Sequence, residues 1–265
     1  MRGGMSGFVN PRYDLNHGRQ PQKVYIVASS YRSGSTYLCH RLWETGVMGA
    51  PWEYMNNEND MRVMALRLGA SNVVDYLTKL LACRTSRNGV FGVKAHFHHF
   101  EAALRAFPGM LKAMPPAQFI FINRRDKIAQ AVSMAKSIQT NAWMSLIRPR
   151  RTPLFYSADF IEACLDEINA QAQGWIQWFA AHNVEPFHVD YEELLADPRR
   201  IVSDILALMD VAQDEPDRII LPKVERQADG INADWIARYK ADAEPRHGTM
   251  REAPAASRYD VNMAQ

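Results

Sequence analysis

A short, continuously apolar run followed at once by a polar, serine-rich turn is the feature that most limits how this chain can fold. The run is residues 24–28 (VYIVA), and the turn that follows it is SSYRSGST. A strand that is apolar on both faces is typical of a parallel sheet covered by helices on each side. Leu38 and Leu42 then fall at helical spacing, and Gly46 provides a stop. The predicted unit is therefore strand, loop and helix.

The same pattern recurs along the chain. Further short apolar runs are predicted strands at residues 90–94 (VFGVK), 118–122 (QFIFI) and 186–190. Helices are predicted at residues 73–83, 97–114, from 127 onward, 159–181 and 201–209. Strands that alternate with helices predict a parallel sheet covered on both faces, which binds ligands at the carboxyl ends of its strands. We therefore expect the functional loops to follow Ala28, Lys94 and Ile122.

The composition is that of a globular protein with a substantial core, since 47% of the 265 residues are hydrophobic and 23% are charged. Residues 1–22 are polar and lack the apolar stretch of a secretory signal, so we expect a flexible N-terminal segment there. Residues 23–244 form the predicted domain. Residues 245–265 show little periodicity, which is typical of a flexible C-terminal tail.

Charge and cysteine content narrow the functional classes. A net charge of +2 does not indicate nucleic-acid binding, but it suits a local basic pocket for an anion. No apolar run approaches the roughly 20 residues that span a bilayer, so a membrane-spanning protein is not expected. Three scattered cysteines indicate neither a disulfide framework nor a zinc site. We expect a cytoplasmic protein without a metal centre.

The turn at residues 29–36 has the position and composition of a phosphate-binding loop. It lies between a buried strand and a helix, where backbone N–H groups and the helix dipole favour an anion. Ser29 and Ser35 stand where a nucleoside-triphosphate loop has its first glycine and its lysine, which argues against an ATPase or GTPase. Arg32 offers a charged, planar fork instead. The alternative is a serine-rich turn that only caps a helix.

A second basic segment follows the QFIFI strand. Arg124 and Arg125 come directly after it, and Ser133 lies two helical turns further on. A guanidinium and a hydroxyl at such a junction can bind a second phosphate. Two phosphate sites on one nucleotide indicate a 3′,5′-bisphosphate. The alternative is a solvated arginine pair with a helix N-cap at Asp126.

Six collinear segments resemble the bacterial sulfotransferase family that includes the trehalose 2-sulfotransferases and relatives described as nodulation-factor sulfotransferases. They are SSYRSGSTYL, GVMGAPWEYMN, FGVKAHF, NRRDKIAQAVSMAKSIQT, NVEPFHVDYEEL and VERQADGINADWIARYKADAE, and they extend over residues 24–244. The resemblance implies a P-loop-like, three-layer α/β fold with a central, mostly parallel sheet flanked by helices. It also implies 3′-phosphoadenosine 5′-phosphosulfate (PAPS) as the sulfuryl donor, adenosine 3′,5′-bisphosphate as the product, no metal requirement and a homodimer.

The resemblance also assigns donor ligands by position. Around the 5′-phosphosulfate it places the phosphate-loop residues Arg32, Ser33, Gly34, Ser35 and Thr36. For the 3′-phosphate it places Ser133 with Arg125 or, in the trehalose enzymes' version of the segment, with Arg124. Arg226 is a further candidate, because a late basic loop reaches the 3′-phosphate in the wider sulfotransferase superfamily.

Two residues are candidates for the base that accepts the acceptor's proton. Glu53 in PWEY matches the carboxylate of the trehalose enzymes, and burial between Trp52 and Tyr54 would raise its pKa into a useful range. Lys94 and His96 match the Lys-x-His pair of animal cytosolic sulfotransferases, in which the histidine is the base. We rank Glu53 first and His96 second, with Lys94 steadying the sulfuryl group.

The acceptor is expected to be a carbohydrate or glycolipid. Gln139, Thr140 and Trp143 suit a sugar ring, whereas Trp175 and Trp178 lie on a helical apolar stripe and are assigned to the core. Acceptor choice is expected to depend on residues 55–70 and 141–156. The alternatives to a PAPS-dependent carbohydrate sulfotransferase are a magnesium-dependent P-loop phosphotransferase and a bisphosphate-binding protein without activity.

Overall fold

The computed structural model describes residues 7–56, 60–212, 219–224 and 227–243. Its four strands are β1 (Lys23–Ser29), β2 (Val90–His96), β3 (Ala117–Asn123) and β4 (Phe187–Asp190). The helices before β3 are α1 (Ser35–Trp43), α2 (Asp60–Arg67), α3 (Val73–Arg84) and α4 (Phe97–Ala106). The later helices are α5 (Lys127–Thr140), α6 (Ala158–Ala181), α7 (Tyr191–Ala196), α8 (Pro198–Leu208) and α9 (Gly230–Ala243). Three short 3-10 helices cover Gly7–Val9, Pro11–Tyr13 and Leu111–Ala113.

The strands form one parallel sheet in the order β2-β1-β3-β4. Alternate residues of β1 face opposite layers, because successive side chains of a strand point to opposite faces. Ile26 and Ala28 pack into one core with α3, α4 and α6, and Tyr25 and Val27 pack into another with α1 and α8. This arrangement confirms the predicted three-layer α/β fold.

The central position of β1 brings the predicted loops together. Along the register, Ser29 at the end of β1 pairs with His96 at the end of β2, and Ala28 pairs with Phe121 of β3. The chain leaves β1 toward β2 on one side and later returns to β3 on the other side. A crevice at the carboxyl ends of the strands is expected at such a point, and the loops after β1, β2 and β3 border it.

The structure corrects some helix boundaries. α4 ends at Ala106 rather than continuing to residue 114, because Phe107 precedes Pro108 and the residue before a proline disfavours helical dihedrals. Helices α2, α7 and α9 were not predicted from the sequence. Trp175 and Trp178 belong to the core or pack against it, as predicted. Within the described ranges, the structure contains no helix with the length and apolarity needed to cross a bilayer.

Residues 7–22, part of the N-terminal segment that is expected to be flexible, include side chains that pack against the domain. Phe8, 2% exposed, packs its ring 4.5 Å from Trp52 and 5.7 Å from Trp43, measured between centroids. Asp14 pairs with Arg67 at 2.7 Å and with fully buried Arg84 at 3.1 Å. A segment that is polar on average is thus held by aromatic packing, in which Tyr13 takes part, and by two ion pairs. The expected tail at residues 245–265 lies outside the described residues.

Truncating the Phe8 side chain tests whether its packing against Trp43 and Trp52, here called the docking of residues 7–22, stabilises the fold. We expect Phe8→Ala to lower the free energy of unfolding by about 3–5 kcal/mol, because the change leaves a cavity among aromatic rings. Urea unfolding of the variant measures the loss. Phe155→Ala is the control, since Phe155 is 60% exposed and its truncation should cost no more than about 0.5 kcal/mol. Equal stability of the Phe8→Ala variant and the wild type would contradict the docking.

Candidate active site

The loop between β1 and α1 adopts a conformation that depends on glycine. Gly34 has φ +91° and is the N-cap of α1, and a Cβ at this position would collide with the ring of Tyr191. Only glycine meets both conditions without strain. Arg32 also has a positive φ of 58°. Gln130 of α5 holds the loop by donating to Ser30 Oγ (2.9 Å) and to the Tyr31 carbonyl (2.5 Å).

A cavity of about 1100 Å³ opens at the carboxyl ends of the strands. It brings together nine of the residues singled out in the sequence: Arg32, Gly34, Ser35, Thr36, Glu53, Lys94, His96, Arg124 and Ser133. Ser33 is completely buried, and its Oγ has no hydrogen-bond partner among the described residues. Neither Ser33 nor Arg125 belongs to the described cavity wall. Arg226 lies outside the described residues.

Arg32 extends across the cavity and is held by three groups. Its Nε donates to Ser133 Oγ (2.9 Å), and its terminal nitrogens donate to Gln227 Oε1 (2.6 Å) and to the Trp143 carbonyl oxygen. Burial, followed by the nearby charge of Arg124, lowers the pKa of Arg32 to about 10. The guanidinium is therefore still charged at neutral pH, inside a cavity where a charge is poorly screened.

The two arginines after β3 diverge. Arg124 faces the cavity, with its Cζ 4.9 Å from the centroid of the Tyr191 ring. The Arg125 side chain is 60% exposed and lies 3.5 Å from Glu192 and 3.9 Å from Asp190. The Glu192 carboxylate also accepts the Arg125 backbone N–H at 3.1 Å, which fixes the chain direction at this point. Of the two arginines after β3, Arg124 is thus the one that shares the cavity with Arg32.

The PWEY segment reaches the site because it pairs with β2. Trp52 forms a parallel bridge with Val93, and its carbonyl accepts the Lys94 N–H at 2.9 Å. This pairing sets Glu53 beside Lys94, with 2.5 Å between Oε1 and Nζ. Lys94 Nζ also donates to Thr36 Oγ1 at 3.0 Å, which links the carboxylate to the start of α1.

The prediction that burial raises the pKa of Glu53 is wrong. Burial alone would raise the pKa of this carboxyl, but the charge and hydrogen bond of Lys94, together with His96, hold it well below its ordinary value. Glu53 is therefore ionised at neutral pH. A carboxylate stabilised in this way has little tendency to take up a proton.

We assign the tautomer of His96 from the hydrogen-bond partners of its ring. The Ser29 hydroxyl donates to the Ala95 carbonyl (3.1 Å), so it accepts from His96 Nδ1, also at 3.1 Å. The proton on Nδ1 leaves Nε2 as the basic nitrogen, 4.0 Å from Glu53 Oε1. Burial lowers the pKa of His96 to about 3, against the opposing effect of Glu53. The imidazole is neutral at neutral pH.

Several cavity residues were missed in the sequence. Tyr31 packs between His96 and Trp143, at centroid distances of 4.4 Å and 5.5 Å, and Tyr191 covers Gly34. Tyr191 lies in the DYEEL segment, but nothing in its local pattern indicates contact with a loop more than 150 residues away. Trp143 lines the cavity as expected for a sugar-binding residue, whereas Gln139 and Thr140 are absent from the described wall.

The arrangement combines groups that suit anion binding with groups that suit proton transfer. Two arginines from neighbouring strand ends occupy one wall, and a carboxylate, a lysine and a neutral histidine occupy another. Among the described residues, no three His, Cys, Asp or Glu side chains are grouped so that they could hold a metal ion.

Comparison with known proteins identifies the family. The model of the Stf0 sulphotransferase family matches residues 24–242, and the chain belongs to this family of sulfotransferases. It is 30% identical to the trehalose 2-sulfotransferase of Mycolicibacterium smegmatis over 83% of this chain and 96% of that protein. It is 27% identical to the trehalose 2-sulfotransferase of Mycobacterium tuberculosis over 85% of this chain and 97% of that protein. The sulfotransferase domain from the curacin biosynthetic pathway aligns with a TM-score of 0.42 and 16% identity, over 76% of this chain and 80% of that chain.

Proposed function

We propose that the chain transfers a sulfuryl group from PAPS to a carbohydrate hydroxyl. The observation that carries this proposal is the position of Arg32 and Arg124 in a single cavity, at the carboxyl ends of β1 and β3. Two fixed cations so placed suit a ligand with two separate anionic groups, which a 3′,5′-bisphosphate provides. The similarity to the trehalose 2-sulfotransferases supports a sugar as the acceptor.

Each end of the donor has its own set of ligands in this proposal. The first turn of α1 with Ser35, Thr36 and Arg32 binds the 5′-phosphosulfate. Arg124 and Ser133 bind the 3′-phosphate. The oxygens of the donor replace the protein acceptors that now bond Arg32, so the guanidinium keeps its hydrogen bonds when the donor is bound. Arg226 stays a proposed ligand, next to Gln227 of the same segment.

His96 is the proposed general base, with Glu53 in a supporting role. Nε2 of His96 takes the proton of the acceptor hydroxyl, and the carboxylate of Glu53 stabilises the resulting imidazolium. This order reverses the ranking expected from the sequence, because Lys94 occupies the Glu53 carboxylate. The anionic donor adds negative charge beside His96, which raises the pKa of the imidazole toward a useful value.

The transfer step is an in-line displacement. The acceptor oxygen forms a bond to sulfur while the bond from sulfur to the bridging oxygen of the donor breaks. The electron pair stays with adenosine 3′,5′-bisphosphate, and the proton stays on His96. Arg32 and Lys94 stabilise the charge that develops on the leaving oxygen.

The cavity wall includes residues of both segments that are expected to determine acceptor choice. Residues 55–70 contribute Val63 and Leu66 to its wall, and residues 141–156 contribute Trp143 and Ile147. The same segments also contribute polar side chains, among them Arg62 and Arg150, and apolar surface with a few polar groups suits a sugar ring or a glycolipid. A homodimer is a further proposal, which rests on the resemblance to the family, and a cytoplasmic location is another, which rests on the cysteine content.

The experiment that tests this function uses purified protein, PAPS labelled with ³⁵S and a panel of acceptors. The panel contains trehalose, glucose, N-acetylglucosamine and an unfractionated carbohydrate and glycolipid extract. We expect label in a carbohydrate product, one equivalent of adenosine 3′,5′-bisphosphate and full activity in EDTA. Label transfer to none of the acceptors, or magnesium-dependent cleavage of ATP instead, would overturn the proposal.

A further inference from the structure

His99, in the first turn of α4, is a buried histidine that the proposed transfer step does not use. It is 3% exposed and forms part of the cavity wall. Its Nε2 has no hydrogen-bond partner among the described residues. Burial, followed by the charge effect of His98, lowers the pKa of His99 to about 4, so the ring is neutral at neutral pH. A buried polar atom without a partner carries a desolvation cost that the protein itself does not offset here.

The neighbouring His98 shows that this part of the structure can provide hydrogen-bond partners for both nitrogens of a histidine. One of its nitrogens contacts the Tyr31 hydroxyl at 3.1 Å, and the other contacts the Gln171 amide at 2.6 Å. His98 therefore has a structural role between the loop after β1 and α6. His99 packs 3.9 Å from His98, measured between ring centroids, but takes no share in these hydrogen bonds.

His99 lies close to His96, the proposed base. Its ring centroid lies 5.9 Å from that of His96, and the charge of Glu53 affects the pKa of both rings. A molecule whose hydroxyl reaches His96 Nε2 therefore carries its neighbouring hydroxyls close to His99. The torsional minimum about the Cβ–Cγ bond of histidine is broad, so rotation of the ring can bring Nε2 toward such a group.

We propose that His99 is a positioning and specificity residue whose Nε2 hydrogen-bonds a second hydroxyl of the acceptor, next to the hydroxyl that is sulfated. The acceptor class is thus a vicinal diol, as in a sugar ring, rather than an isolated alcohol. This inference rests on the proposed function. A site that hydrogen-bonds a hydroxyl discriminates strongly against analogues that lack it, because the protein group is then left unpaired.

The test compares His99→Leu with the wild type on the best carbohydrate of the panel and on its monodeoxy analogues, with ³⁵S-labelled PAPS as donor. We expect the wild type to lose at least about 10-fold in acceptor kcat/KM on one analogue that keeps the reacting hydroxyl. The His99→Leu variant should lose a similar factor on the complete sugar and should no longer distinguish that analogue. His99→Gln, which places an amide near the Nε2 position, should recover part of the discrimination.

His40→Leu is the matched control. His40 is also buried, both of its ring nitrogens lack partners among the described residues, and it is absent from the described cavity wall. Both leucine variants should unfold at or above the wild-type temperature, because each removes an unsatisfied polar group. Only His99→Leu should raise the acceptor KM, and the affinity for adenosine 3′,5′-bisphosphate should be unchanged in both.

The outcomes separate the two proposals. If the wild type sulfates a carbohydrate and His99→Leu keeps the same preference among the analogues, the role of His99 is wrong and the proposed function stands. If the wild type labels no carbohydrate of the panel, the proposed function fails and the role of His99 fails with it.

Discussion

Replacing His96 with asparagine is expected to lower kcat by about 10²- to 10⁴-fold, the range over which a positioned general base contributes. The asparagine amide can still donate to Ser29 Oγ, so the local hydrogen bonding is kept while the basic nitrogen is lost. The donor affinity should change little, because His96 is not among the proposed ligands of the donor. Steady-state kinetics with PAPS and the best carbohydrate acceptor measure the effect.

The pH profile gives an independent reading of the same group. Burial depresses the pKa of His96 from 6.5 to about 3, so the base form persists as the pH falls through 6.5 and is lost only as the pH approaches about 3. The pKa of Glu53 is also lowered, so its carboxylate stays ionised as the pH falls through this range. Because kcat/KM for PAPS reports the enzyme before the donor is bound, it should show no acid limb near pH 6.5.

Glu53→Gln distinguishes the two candidate bases. If His96 is the base, Glu53→Gln should lower kcat less than His96→Asn does, because Lys94 already neutralises part of the Glu53 charge. Glu53 would instead be the base if Glu53→Gln lowered kcat by the full range of about 10²- to 10⁴-fold and His96→Asn kept a kcat near the wild-type value.

Replacing Arg32 with methionine is expected to lower kcat by about 10²- to 10³-fold, the effect of removing a preorganised donor from a developing negative charge. The guanidinium is charged, half-buried and held by three hydrogen bonds, so its loss removes a preorganised donor that water does not replace. Arg32→Lys should recover part of the loss, since it keeps the charge without the planar fork. Single-turnover transfer from labelled PAPS isolates this effect from donor binding.

Arg41→Gln is the control for loss of a positive charge near α1. Arg41 pairs with Glu44 at 2.7 Å and is not part of the described cavity wall. Its replacement should leave kcat near the wild-type value. If Arg32→Met were as active as Arg41→Gln, the assignment of Arg32 to the leaving group would be wrong.

The fold could be predicted largely from the sequence because its signals are local. Runs such as VYIVA and QFIFI are apolar on both faces, and each precedes a polar turn and a helix, which indicates a buried parallel strand. The packing of Phe8 could not be predicted in the same way. Phe8 contacts Trp43 and Trp52, which are distant from it along the chain, and nothing in the local sequence indicates these contacts.

Most of the residues that the sequence singled out line one cavity, but the electrostatics of that cavity could not be predicted. Motif position found Arg32, Glu53, Lys94 and His96, yet the pKa of Glu53 depends on the pairing of residue 52 with residue 93, which local sequence does not encode. The choice between Arg124 and Arg125 depends likewise on which side chain turns toward the cavity. Their adjacent positions make both equally plausible until Glu192 and Tyr191 are in place.

Calorimetric binding of adenosine 3′,5′-bisphosphate, compared with adenosine 5′-monophosphate, tests the central claim that two basic groups of one cavity hold two phosphates. The account predicts that the bisphosphate binds about 10- to 150-fold more tightly, the value of one charge-assisted hydrogen bond. It also predicts that Arg124→Gln removes this difference and that Arg125→Gln keeps it. Equal affinity of the wild-type protein for both nucleotides, or no binding of either, would contradict the account.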